Sequence, residues 1–379
     1  MSDRGVQGER QIDGSLTRKL FYKKTKYDRI FIVISAFFFY CGYYFAKTVL
    51  PLHIKTLNGS DAIVGRTMAI ISGAALATRW VAGTLQDKYG SKPFIVGAAL
   101  CLAFVSLSYN FVESIQLLTV AAFFQGVAIG SFATIAMAQI VDGVESEIER
   151  TSALSFFSMS HLTAGSVAPW MALAMATTMG TGNILGWSAI WGLAAALPAF
   201  YLSPMPPKEY KDSTDISLGV SILGDKILVG ACFCYFVWAI SQGIIYSFLP
   251  LFSQARGITN AGVFFTSFAL TNLIGRAFVK KLAVSIGSIR LVNISSFFII
   301  ISMCILSVAQ NTYYLAVAGV IYGLGSTAIY PCLAGIATGR DQENMGLTIA
   351  LFMSNLELGQ MVGAFVLGNV ASRRGYPVI

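Results

Sequence analysis

The stretch "GTLQDKYGSKPF", residues 83–94, crowds an acid, two lysines, two glycines and a proline into one short run. On either side the chain is nearly free of charge for about twenty residues, the length an α-helix needs to cross roughly 30 Å of hydrocarbon. The burst therefore reads as a tight connection between two membrane-spanning helices. Similar apolar runs recur to the end of the chain, and strand-length alternation is absent. Helices and closed barrels are the only spanning structures that satisfy their own backbone groups. The pattern thus predicts an all-α polytopic membrane protein.

Composition agrees. Of 379 residues, 55% are hydrophobic and 12% charged, with a mean hydropathy of +0.68. Soluble domains carry about 25% charged residues. The six cysteines all fall in apolar spans without CxxC spacing, and read as reduced core residues. Two histidines, His53 and His161, are too few for a histidine-based metal centre. No phosphate-binding loop and no GxSxG nucleophile elbow occurs. Neither an enzyme, a metal site, a cofactor nor an ATP-driven pump is expected.

Spans are predicted over 29–51, 62–84, 93–111, 114–141, 151–178 and 182–203, then over 226–251, 261–283, 290–309, 313–337 and 344–372. Residues 1–28 form a basic tail, suited to a cytoplasmic, anionic lipid surface. The first bundle covers 29–203. A linker, 204–225, contains most of the proline- and charge-rich "SPMPPKEYKDSTD" of residues 203–215. The second bundle, 226–379, holds five helices.

Orientation follows from the basic residues. With the tail inside, eighteen lysines and arginines fall on its side, five fall opposite, and Lys47, Arg79 and Arg276 lie within spans. The expectation is a multi-pass monomer of the cell (inner) membrane with a cytoplasmic N-terminus. The net charge of +8 is then topology and not a nucleic-acid footprint.

The halves repeat. "LPL" at 50–52 recurs at 249–251, and Arg79 followed by Gly90 recurs as Arg276 followed by Gly287. Gly126 in "FQGVAIGS" matches Gly323 in "IYGLGST", "MSHLTAG" at 159–165 matches "MSNLELG" at 353–359, and "GWSAIW" at 186 matches "GYPVI" at 375. Ordered matches with slowly drifting offsets indicate two six-helix halves related by a parallel repeat. On that repeat a twelfth helix has barely begun at Ile379, and truncation before it is expected.

The opening stretch resembles the loop between helices 2 and 3 of the major facilitator superfamily (MFS). Gly83, Leu85, Asp87, Lys88, Gly90 and Lys92 match its pattern, whereas Ser91 departs from a usual basic residue. With the two halves, the resemblance covers nearly the whole chain. It implies a secondary transporter working by alternating access, and a conformational latch formed by Gly83, Asp87, Lys88, Gly90 and Lys92 with Arg79 nearby. Asp87 would meet the positive N-terminus of the eleventh helix, near Asn344. Arg79 and Arg276 would snorkel or support the loops. Gln125 and Gly126 resemble a fourth-helix motif of proton-coupled members, with Ala122 replacing its arginine. Gly165 and Pro169 resemble an exporter motif in which Ala168 replaces a second glycine. The resemblance also places helices 1, 4, 7 and 10 around the cavity, which adds Gln125 and Tyr322 to its lining.

Ionisable groups inside spans are costly and so are site candidates. Glu357, near the middle of the eleventh span, reads as a proton-carrying carboxylate or as an acid held by neighbouring helices. His161 reads as its partner in proton coupling or as a hydrogen-bonded packing residue. Lys47 either snorkels to the outer surface or faces a cavity with Tyr40, Tyr43 and Tyr44. Trp238, Gln242 and Tyr246 make a similar row at four-residue spacing. An aromatic and amide lining suits a small amphipathic organic solute, with a proton as coupling ion and the lipid bilayer as surroundings. Proton-coupled export is expected first. Uptake of an organic anion held by Lys47 and a non-transporting receptor or scaffold are the alternatives.

Overall fold

A computed structural model of the chain describes residues 3–141, 147–203, 225–339 and 345–375. Eleven helices follow in order: α1 (Asp3–Thr56), α2 (Asp61–Tyr89), α3 (Lys92–Ser108), α4 (Ile115–Val141), α5 (Glu147–Met179), α6 (Thr181–Phe200), α7 (Lys226–Ala255), α8 (Gly262–Ile286), α9 (Ser288–Ser307), α10 (Thr312–Thr338) and α11 (Met345–Arg374). No strand occurs among the described residues. Nine of the helices are long and apolar enough to cross a membrane; α3, with 17 residues, and α5 are the others. Helix α1 runs unbroken from Asp3, through most of the residues read as the basic tail, into the first span. The expected linker lies outside the described residues except for Asp225, whose carboxylate accepts from the backbone N–H groups of Ile227 and Leu228 and so caps α7.

The helix ends follow local chemistry. Ser60 caps α2 through Ile63 N–H, and Asn311 caps α10 through Tyr313 and Tyr314 N–H. Gly90 ends α2 at φ 82° and donates its N–H to the Gln86 carbonyl. Gly287 ends α8 at φ 88° and donates to Ala283 in the same way. Both turns need a residue that tolerates positive φ.

The repeat read from the sequence is a repeat of packing. In the first bundle α2 packs on α4, α3 on α4 and α1 on α5; in the second, α8 packs on α10, α9 on α10 and α7 on α11. A Cβ placed on Gly126 would lie 2.3 Å from the Ile71 carbonyl oxygen, and one on Gly323 would lie 2.7 Å from that of Phe268. Small residues are what let membrane helices approach this closely. One match is incomplete. Helix α6 lies on α1 and α3, whereas between their mates α7 and α9 runs an apolar groove of about 590 Å³, lined by Phe233, Val237, Ile299 and Met303 among others.

The halves meet through α2 against α11 and α5 against α8, which the repeat exchanges. The contact is tightest at the end of the molecule away from the tail. There a Cβ on Gly65 would lie 2.3 Å from the Ala364 carbonyl oxygen and 2.9 Å from Gly368 Cα, and Gly262 backs onto Trp170. We predict that Gly65→Leu forces this end apart. Spin labels on Asn58 and Ser372 should then report a longer distance by electron paramagnetic resonance, and a distance unchanged from wild type would show that the glycine contact does not hold the end closed.

Candidate functional site

Between the halves, from mid-height toward the tail end, lies a cavity of about 150 Å³. Its walls come from α1, α2, α4, α5, α7, α8, α10 and α11. The sequence reading placed nine side chains around such a cavity. Tyr40, Tyr43, Tyr44, Trp238, Gln242 and Tyr246 do line it. Tyr40 meets the His161 ring edge-on at 4.3 Å between centroids, and Tyr44 tilts onto Tyr246 at 5.2 Å.

Two others lie elsewhere. Gln125 is fully buried and accepts from the Tyr109 hydroxyl at 2.7 Å, tying α4 to α3. Tyr322 is buried inside the second bundle, bonded to Ser241 at 2.7 Å and packed on Phe264 and Phe268. Both belong to helices expected to line the cavity, but their faces turn into the bundle that carries them.

Lys47 does not snorkel. It is 2% exposed, donates to Gln360 Oε1 at 2.7 Å and to the Tyr43 hydroxyl at 3.0 Å, and lies over the Tyr43 and Tyr246 rings. The ammonium thus stands behind the cavity wall, with its donors already directed at protein groups.

Glu357 faces the cavity at 5% exposure and is the one carboxylate in its lining among the described residues. Its partner is Arg79, whose Nη2 lies 3.2 Å from Glu357 Oε1. Arg79 therefore neither snorkels nor supports the loop. It reaches from α2 across to α11 and pairs in the cavity wall. His161, the other candidate for partner, is bonded through Nε2 to the Tyr44 hydroxyl at 2.9 Å. Its ring also packs edge-on against Tyr40 and lines the cavity.

The remaining latch residues are modest. A Cβ on Gly83 would meet nothing within 4 Å, so no close approach requires that glycine. Lys88 is exposed over the Tyr89 ring at 5.2 Å, and Lys92 opens α3. Ser91, the departure from the family pattern, is buried and donates to the Gln139 side chain of α4. The Asp87 side chain and residues 340–344 lie outside the described residues, and the expected latch contact falls on them.

The sequence reading gave no cavity role to Gln360, Asn272 or Arg276, all of which line the wall. Gln360 stands one turn beyond Glu357 on the same face of α11, a spacing that could have flagged it. Asn272 and Arg276 stand one turn apart on α8 and are bonded to each other at 3.3 Å. Arg276, expected to snorkel or support loops, lines the cavity instead.

Two helical bundles closed around a buried, charged cavity define a membrane carrier. The sequence pattern of the Major Facilitator Superfamily matches residues 32–364, and the chain belongs to that family. It is a transporter and not an enzyme. The multi-drug resistance efflux pump PmrA of Streptococcus pneumoniae is 24% identical, with 87% of this chain and 86% of the pump covered. The staphylopine export protein of Staphylococcus aureus is 20% identical, with 91% and 89% covered. A crystal structure of a point mutant of the nucleoside transporter NupG shares the fold, with a TM-score of 0.77 at 13% identity over 92% of this chain and 93% of that one.

A buried ion pair is costly to break from one side, typically by about 3–5 kcal/mol, because a charge is left alone. Glu357→Gln and Arg79→Gln should each lower the melting temperature of the purified protein, and the charge-free double variant should recover much of the loss. Additive losses in the double variant would show that the two groups do not interact.

Proposed function

We propose that the chain is a proton-coupled exporter of a small amphipathic organic solute, and that the Arg79–Glu357 pair is the coupling device. The pair itself carries this reading. It joins α2 of one half to α11 of the other, in the wall of the cavity between them. A protonated Glu357 has no charge to hold Arg79, so the tie between the halves weakens. Proton binding and the relative position of the halves are then linked, and linkage of that kind is what coupling requires.

Direction rests on topology and on relatives. The positive-inside bias supports a cytoplasmic tail end. The cavity lies toward that end while glycine contacts close the other, which supports loading from the cytoplasm. The export functions named for the pneumococcal and staphylococcal relatives support the same direction. The alternative of an anion held for uptake by Lys47 loses its basis, because Gln360 and Tyr43 occupy that ammonium.

Inverted membrane vesicles with an acidic lumen test the proposal with a panel of amphipathic fluorophores. Wild-type protein should accumulate a subset of them, and a protonophore should abolish the gain. Glu357→Gln should lose gradient-driven accumulation while still binding the solute. Full accumulation by that variant would place the coupling proton elsewhere.

A further inference from the structure

Two cavities meet at one arginine. Leu162, Phe268, Asn272 and Arg276 line both the central cavity and a second, apolar groove of about 270 Å³ between α5 and α8. The rest of that groove includes Met159, Val167, Trp170, Leu270 and Leu273. All five are exposed on the outside of the bundle, which in a membrane is the hydrocarbon side. The groove is therefore an apolar path from the bilayer to a cation.

The repeat explains why that cation has no counter-ion among the described residues. Arg79 on α2 and Arg276 on α8 are repeat mates. Helix α2 faces α11, where Arg79 finds Glu357, and α8 correspondingly faces α5. The residue on α5 that the repeat aligns with Glu357 is Thr163, which is neutral and donates to the Met159 carbonyl of its own helix. Arg276 makes no ion pair among the described residues. Its Nε donates to Asn272 Oδ1 at 3.3 Å, and the Asn272 amide donates in turn to Ser326 Oγ at 2.8 Å, which fixes the stem. Its terminal nitrogens have no hydrogen-bond partner among the described residues. A guanidinium fork presented this way suits a carboxylate or phosphate, which it can grip with two parallel bonds.

Size points the same way. Pockets for organic ligands enclose roughly 300–1,000 Å³, and the central cavity has about 150 Å³. An amphipathic solute exceeds it unless part of the molecule lies in the α5–α8 groove.

Resting on the transport reading above, we propose that the solute is an amphipathic anion with a single apolar chain. Its carboxylate or phosphate head binds Arg276 in the central cavity. Its chain lies between α5 and α8 and reaches the bilayer, from which the molecule is loaded sideways.

The test uses the full chain in proteoliposomes, a long-chain fatty acid with a diazirine on its chain, and mass spectrometry of the crosslinked residues. Labelling should concentrate on the α5–α8 groove, at Trp170, Leu270 and Leu273, above the background on other lipid-facing helices. Dodecanoate or dodecyl phosphate, or both, should compete, and whichever does identifies the head. Dodecanamide, dodecyltrimethylammonium and inorganic phosphate should each compete at least about tenfold less well, the worth of one charge-assisted contact or more. Arg276→Gln should cut groove labelling by about tenfold, Arg276→Lys by less, and Ala269→Trp should block it by filling the groove. Even spread of label over the lipid face, equal competition by the amide, displacement by inorganic phosphate alone, or full groove labelling in folded Arg276→Gln would each overturn the proposal. If Arg276→Gln does not fold, the head-group series on wild-type protein decides. Crosslinking needs no gradient, so it stands or falls separately from proton-coupled flux. Flux with no anion-specific label would leave export in place and remove this solute class.

Discussion

An ionised side chain in hydrocarbon must find an opposite charge, a water-filled space, or both. In this protein Arg79 and Glu357 answer that requirement for each other, 3.2 Å apart on helices that belong to different halves. Much of the architecture follows from letting them meet. Helices α2 and α11 must run face to face, and Gly65 and Gly368 let their backbones touch at the closed end. The cavity must open beside the pair. A link made of charge is also one that a proton can undo, which a link made only of packed methyl groups is not.

The two halves are alike in packing and unlike in chemistry. Gly126 and Gly323 make the same contact with the helix behind them, and Gly90 and Gly287 end equivalent helices with the same hydrogen bond. Such features hold a bundle together, and either half needs them. The departures gather at the cavity. Glu357 aligns with Thr163 and His161 with Asn355, while Arg79 and Arg276 remain equivalent in position but differ in what faces them. Among the described residues, an ion pair crosses only one of the two interfaces that the repeat exchanges.

The sequence alone determined the spans, their order, the two-half repeat and the family motif. Each rests on hydropathy, glycine placement or spacing, all local properties that hydrocarbon enforces strictly: an exposed backbone or an unpaired charge costs several kcal/mol there. It also marked Lys47, Arg79, Glu357 and His161 as unusual, since a polar group inside a span stands out without any structure. What the chain could not disclose was who pairs with whom. Arg79 and Glu357 are separated by 278 positions, and their contact depends on two bundles docking at one angle. Rotation of each helix about its own axis was equally hidden, because hydrophobic periodicity is faint where lipid and bundle interior are both apolar. Gln125 and Tyr322 therefore turned into their bundles while Arg276 and Asn272 turned toward the cavity, and only the packing of eleven helices against one another decided it.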